Sequence, residues 1–180
     1  IVFSIGRIVY EKGFDLLIEA AHFLKEKYDQ LYFIIAGSGP LLDEYRQRVK
    51  KNHLDHIVQF PGYVDDHTRL QLLQKCDIAV FPSRYEPFGI VALESLYFGK
   101  PTIVANVGGL KEIIQHGKTG LIMEKENVQS LMTQIEFLLT NHEKGKKIGF
   151  AGKKMVEKTY HWSNIAKETM NVYSYLTRTG

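Results

Sequence analysis

Apolar runs of three to six residues recur along the chain: Ile1–Ile5, Leu31–Ala36, Ile57–Phe60, Ile78–Phe81, Thr102–Ala105 and Leu121–Met123. Most lack polar alternation, as strands do when helices cover both faces of a parallel sheet. Between the runs, apolar residues fall at helical spacing: Leu16, Leu17, Ala20, Ala21 and Leu24, then Leu41, Leu42, Tyr45 and Val49. Two further stripes use Leu70, Leu73 and Cys76, and Leu131, Ile135, Leu138 and Leu139. Gly or Pro marks the joins, at Gly37, Gly39-Pro40, Pro61-Gly62, Pro82, Gly99 and Pro101. The alternation predicts a doubly wound, Rossmann-like α/β domain: a mainly parallel six-stranded sheet, helices on both faces, and a helical C-terminal tail.

Beyond Asn127 no strand pattern returns, and three helices follow with no partner strand. Trp162-Ser163 reads as a break, with Ser163 as N-cap of the last helix. The 180 residues suit one domain, residues 1–180. Ile1 opens directly on a strand-like run, so the expectation is a piece of a longer protein.

Composition narrows the picture modestly. With 44% hydrophobic and 24% charged residues, the chain is an ordinary globular sequence. A net charge of +3 is too small to argue for nucleic acid or an anionic membrane surface. Cys76 is the only cysteine, which excludes an internal disulfide and a Cys-based zinc site and makes a cytoplasmic setting the default. The seven histidines are scattered without ligand spacing, so no metal is expected. No run approaches the ~18 apolar residues of a bilayer span, and no signal-peptide pattern is present.

In doubly wound sheets ligands bind beyond the carboxyl ends of the strands, so the chemistry belongs in the segments just after them. The first is Gly6-Arg7-Ile8-Val9-Tyr10-Glu11-Lys12-Gly13. Arg7 and Lys12 there suit a diphosphate, or are merely solvated charges. The second, Gly37-Ser38-Gly39-Pro40, has two of the three glycines of a dinucleotide fingerprint, with Leu42 in the third place. It either lets backbone approach a ligand or is a plain tight turn.

The fourth segment, Pro82 to Glu94, says most. Pro87 and Gly89 keep Glu86 out of helix, and Ile90 onward reads as helical. Phe88, Gly89 and Ile90 then offer free amides at a helix N-terminus, a ready anion site. Glu94 sits one turn into an otherwise apolar helix, either buried with a partner or facing water. Gly108-Gly109, after the fifth strand, suits close ligand approach or a bare connection.

Taken in order, Gly6-Arg7, Glu11-Lys12-Gly13, Glu86 and Glu94 with seven residues between, and Gly108-Gly109 resemble the retaining glycosyltransferases with two Rossmann-like domains (the GT-B fold). That family includes glycogen synthases, sucrose synthases and mannosyltransferases, and the resemblance covers nearly the whole chain. It implies that Arg7 and Lys12 hold the donor diphosphate and offset its growing charge. Glu86 resembles the family's first paired glutamate, on the hydroxyls of the transferred sugar, and Glu94 the second, on the ribose. The amides of Phe88, Gly89, Ile90 and Val91 would contact sugar and phosphate. Gly6, Gly37 and Gly39 would line the nucleotide pocket, and backbone near Tyr63 and Val64 would meet the base.

The resemblance further implies a UDP-, ADP- or GDP-linked sugar as donor, no cofactor, and no nucleic-acid partner. The sugar, glycan or lipid acceptor would sit on an N-terminal domain outside this sequence, and membrane association of the full-length protein stays open. Wording similar to glycogen synthases, in Pro82–Gly89 and Tyr160–Ala166, favours glucose. The rival expectations are a sugar-nucleotide epimerase of the same architecture and a non-catalytic nucleotide-binding module. A nicotinamide dehydrogenase fits poorly with the incomplete glycine fingerprint.

Overall fold

The computed structural model describes residues 1–178. Six strands, β1 (Val2–Ile5), β2 (Phe33–Ala36), β3 (Val58–Gly62), β4 (Ile78–Phe81), β5 (Thr102–Ala105) and β6 (Leu121–Met123), form one sheet in the order β3-β2-β1-β4-β5-β6. Every neighbouring pair is parallel. The apolar runs explain this: β4 and β5 are buried at all four positions, which leaves no polar face for water.

Helices α1 (Phe14–Leu24), α2 (Leu42–Lys51), α3 (Asp66–Lys75), α4 (Ile90–Tyr97) and α5 (Leu110–Ile113) connect the strands. After β6 come α6 (Val128–Thr140), α7 (His142–Thr159) and α8 (Trp162–Arg178). α1 packs with α2 and α6, while α4 packs with α3 and α7. The connections from β1 run one way along the sheet and those from β4 the other, so right-handed crossovers put the two groups on opposite faces.

β1 and β3 each start one residue later than expected, at Val2 and Val58, and three other boundaries differ for a local reason. β2 starts at Phe33 rather than Leu31, because the Leu31 amide closes a turn onto Tyr28 O at 3.3 Å. β3 extends through Pro61 and Gly62, which an edge strand tolerates because a missing N–H there costs no ladder bond. Ser163 is not the N-cap of the last helix: α8 begins at Trp162, and the His161 ring caps it, accepting from Ser163 N at 3.3 Å. Cys76 lies just past α3, buried, its thiol pushed up to about 11 by desolvation.

The order of the strands matters most for function. β1 has β2 on one side and β4 on the other, and the chain turns opposite ways from these two strands. Connections therefore diverge above β1 and β4 and leave a crevice between the loops that follow them.

Candidate functional site

The loops after β1 and β4 meet across that crevice. Arg84 N and Tyr85 N both donate to Glu11 O, at 2.7 and 3.2 Å. Lys12 Nζ lies 2.5 Å from Glu86 Oε2, with both side chains mostly buried. Glu86 is also held through its backbone, its carbonyl accepting from Gly109 N at 3.1 Å. Gly108 has φ +42°, and a Cβ there would fall 2.1 Å from Glu86 O. The close approach that Gly108-Gly109 permits is thus to the backbone of Glu86.

A cavity of about 270 Å³ opens between these loops, lined by Gly6, Arg7, Lys12, Glu86 and Phe88 to Val91. Gly89, at φ +100°, turns the chain into α4, and Ala92 N and Leu93 N both bond back to its carbonyl. The amides of Phe88, Gly89, Ile90 and Val91 reach no protein acceptor among the described residues. Their residues line the cavity at the positive end of α4, a position that suits an anion.

A second cavity, about 580 Å³, lies on the other side of Arg7 and is lined by Gly37, Ser38, Gly39, Tyr63, Val64 and Arg69. The two cavities share Ile5, Gly6 and Arg7. The Arg7 side chain is exposed and forms no ion pair among the described residues, so this cation stands free where the cavities join. Gly37 and Gly39 also serve packing: a Cβ at Gly37 would fall 1.9 Å from Gly6 O.

Glu94 takes the partnered alternative. Its carboxylate pairs with Arg69, which also bonds Asp66 Oδ1 at 3.1 Å. The hydrogen bond to Glu94 raises the Arg69 pKa above its ordinary value. Glu94 lines neither cavity itself and reaches the second through Arg69. The two glutamates therefore serve different cavities.

Sequence reasoning missed Arg69, and missed a larger network on Arg84. Arg84 grips Asp15 with two bonds of 2.7 Å and donates to Tyr10 O at 3.0 Å and Glu126 Oε1 at 2.8 Å. Its guanidinium also stacks on the Tyr10 ring, 4.0 Å from the centroid. One side chain thus ties together the loops after β1, β4 and β6 and the first turn of α1. Burial pushes the Asp15 carboxyl up, but the bonds and charge of Arg84 more than offset it and hold it below the usual range. Nothing in the spacing marked these partners; the only hint was that Arg84 stands two residues before Glu86.

A third cavity, about 720 Å³, opens at the amino ends of the strands among Ile1, Ile78, Pro101 and Leu138. It is larger, but its charged side chains are already engaged: Lys100 donates to Cys76 O at 2.9 Å, Asp77 pairs with the Ile1 amino group, Lys146 with Glu143 and Lys153 with Glu157. Chemistry therefore points to the pair at the switch point.

The chain is similar to known proteins over nearly its whole length. The chain is 38% identical over 172 residues to an uncharacterized glycosyltransferase of Methanocaldococcus jannaschii, covering 96% of this chain and 44% of that protein. It is 32% identical over 169 residues to the glycogen synthase of Mycobacterium tuberculosis, covering 94% and 41%. The chain thus spans a little under half the length of these relatives. Among solved structures, Anabaena HepE in complex with UDP-glucose superposes with a TM-score of 0.88 at 25% identity, over 97% of this chain and 48% of that one. The family described as glycosyl transferases group 1 matches residues 1–155, and the chain belongs to that family.

Proposed function

We propose that this chain is the donor-binding, carboxy-terminal domain of a two-domain retaining glycosyltransferase. The whole enzyme would move a hexosyl group, glucosyl by preference, from a nucleoside-diphosphate sugar to an acceptor on an amino-terminal domain. The observation that carries the proposal is Arg7, a free cation at the junction of two cavities. A diphosphate at Arg7 would put the sugar beside Glu86 and the α4 amides, and the nucleoside beside Tyr63 and Val64. HepE, bound to UDP-glucose, and the glycogen synthase relative support a glucosyl donor. The cytoplasmic setting proposed with it rests on the single buried thiol.

The chemistry follows from charge. When the glycosidic bond breaks, negative charge grows on the leaving diphosphate. Arg7, Lys12 and the amides of Phe88 to Val91 are aimed where it develops, the arrangement that lowers such barriers most. Lys12 begins on Glu86. On this reading the diphosphate draws Lys12 away, and the released Glu86 carboxylate accepts from sugar hydroxyls. Glu94, oriented by Arg69, takes the ribose hydroxyls.

The test is an NMR titration of the chain with UDP, ADP, GDP and NAD, beside a Glu94→Ala variant. Saturable binding of one nucleoside diphosphate, weakened in the variant, is the expected result and names the base. Binding of NAD alone, or diphosphate binding indifferent to Glu94, would overturn the assignment.

A further inference from the structure

The small net charge of +3 conceals an uneven distribution. α7 carries six lysines (Lys144, Lys146, Lys147, Lys153, Lys154 and Lys158) against two glutamates (Glu143 and Glu157), a net +4. The rest of the chain therefore holds −1. The whole positive excess lies on one helix.

That helix cannot turn about its axis. Gly145, Ile148, Gly149, Gly152 and Val156 are buried on its inner side, against α4 and its surroundings. A Cβ at Gly149 would fall 2.2 Å from Gly99 O, and one at Gly152 2.5 Å from Thr119 O. At roughly 100° per residue, Lys147, Phe150, Lys154 and Lys158 then fall on the outward side. Lys147, Lys154 and Lys158 form no ion pair among the described residues. Phe150 stands among them 56% exposed, with Lys154 Nζ 4.7 Å from its ring centroid. Tyr97, at the end of α4, adds a second exposed aromatic, with Lys153 Nζ 5.9 Å from its ring.

We propose that this face docks on an anionic lipid surface. The charge is complementary, and each lysine near such a surface strengthens binding roughly fivefold. All six cations are lysines, whose flexible stems let the ammonium reach headgroups while the helix stays against the domain. Phe150 and Tyr97 supply the apolar anchors that sit at headgroup depth. A nucleic-acid surface would instead favour arginine forks and a groove that tracks the phosphates. α7 runs from His142, with Gly145 beside Leu138 near the amino ends of the strands, to Thr159, next to Tyr160, whose ring lies 6.3 Å from that of Phe88. Docking by this flank would leave the switch-point cavities open beside the membrane.

Co-sedimentation of the chain with phosphatidylcholine vesicles, with and without phosphatidylglycerol, tests the proposal. Binding should require phosphatidylglycerol and fall by at least about tenfold in Lys147→Glu/Lys154→Glu, and severalfold in Phe150→Ser. Lys50→Glu/Lys51→Glu on α2, with the same charge change, should bind as the parent does. Circular dichroism checks that each variant is folded. Absence of vesicle binding, equal binding to neutral vesicles, or equal loss in the α2 variant would overturn the proposal. So would binding indifferent to Phe150→Ser and matched on soluble polyphosphate, which marks a general polyanion surface.

Discussion

Lys12 Nζ and Glu86 Oε2, 2.5 Å apart, close an ion pair across the switch point between the loops after β1 and β4. If a diphosphate competes with Glu86 for Lys12, removing the competitor should help the nucleotide and hurt the sugar. Glu86→Gln should therefore bind nucleoside diphosphate severalfold more tightly than the parent, yet lose its preference for the sugar-linked form. Lys12→Ala should lose about tenfold, the worth of one charge-assisted hydrogen bond. Calorimetric titration of the three proteins decides the matter. Equal weakening by both substitutions would mean that the pair binds as a unit and no exchange occurs.

Arg84 holds Asp15, Tyr10 and Glu126 at once, so Arg84→Ala should cost more than an ordinary surface pair. It leaves the partly buried Asp15 carboxylate without its bidentate partner, which costs about 2–4 kcal/mol. Arg84→Lys keeps the charge but not the fork and should recover less than half. Urea unfolding measures both. A loss under about 1 kcal/mol would make the network a solvated surface pair instead.

The same pair gives a pH signature. The Asp15 pKa is lowered in the folded chain, so its pairing contributes fully above the ordinary unfolded value, about 3.9. That contribution is lost as pH falls through the lowered folded value. The stability gap between the parent and Asp15→Asn should accordingly be flat from neutrality to about pH 5 and shrink below about pH 4. A gap that holds steady through the acid range contradicts the assignment.

These pairs also show where sequence reasoning stops. Buried strands announce themselves because hydrophobicity is local: Ile78–Phe81, Thr102–Ala105 and Leu121–Met123 are strands with the bounds their apolar runs predict. The strand order was not legible, yet the rule that ligands gather after strands pointed to the loops that carry Arg7, Lys12 and Glu86, which the fold brings to one cavity. Which charge meets which is decided by the tertiary fold. Arg84 and Asp15 are 69 residues apart, and Arg69 and Glu94 are 25 apart, and no periodicity links such partners. The Ser163 cap failed for a smaller reason: a His ring one position before the helix offers the same acceptor.

Gly108 and Gly117 offer a controlled comparison. Both have positive φ, +42° and +73°, but a Cβ at Gly108 would meet Glu86 O at 2.1 Å, and one at Gly117 meets nothing within 4 Å. Gly117→Ala should cost only the backbone preference, about 1 kcal/mol. Gly108→Ala adds a collision with backbone and should cost more than about 2 kcal/mol. It should also weaken sugar-nucleotide binding through the displaced Glu86. Similar thermal shifts for the two would mean that the loops after β4 and β5 separate easily, and that Glu86 is less rigidly placed than its bonds imply.

Glu94 and Arg69 carry the last expectation. A carboxylate oriented by a guanidinium is a directional acceptor, suited to a pair of ribose hydroxyls. The parent should then prefer a nucleoside diphosphate over its 2′-deoxy form by about tenfold, one hydrogen bond to a charged group. Glu94→Ala should erase that preference while keeping the part of the diphosphate affinity that the proposal assigns to Arg7. Arg69→Ala leaves the carboxylate but frees its rotamer, so the preference should fall without vanishing. Parallel titrations with the ribo and deoxy nucleotides separate these outcomes. An intact ribose preference in Glu94→Ala would make the Arg69–Glu94 pair a structural tie between α3 and α4, and the ribose contact would have to be sought among Ser38 and the backbone of the second cavity.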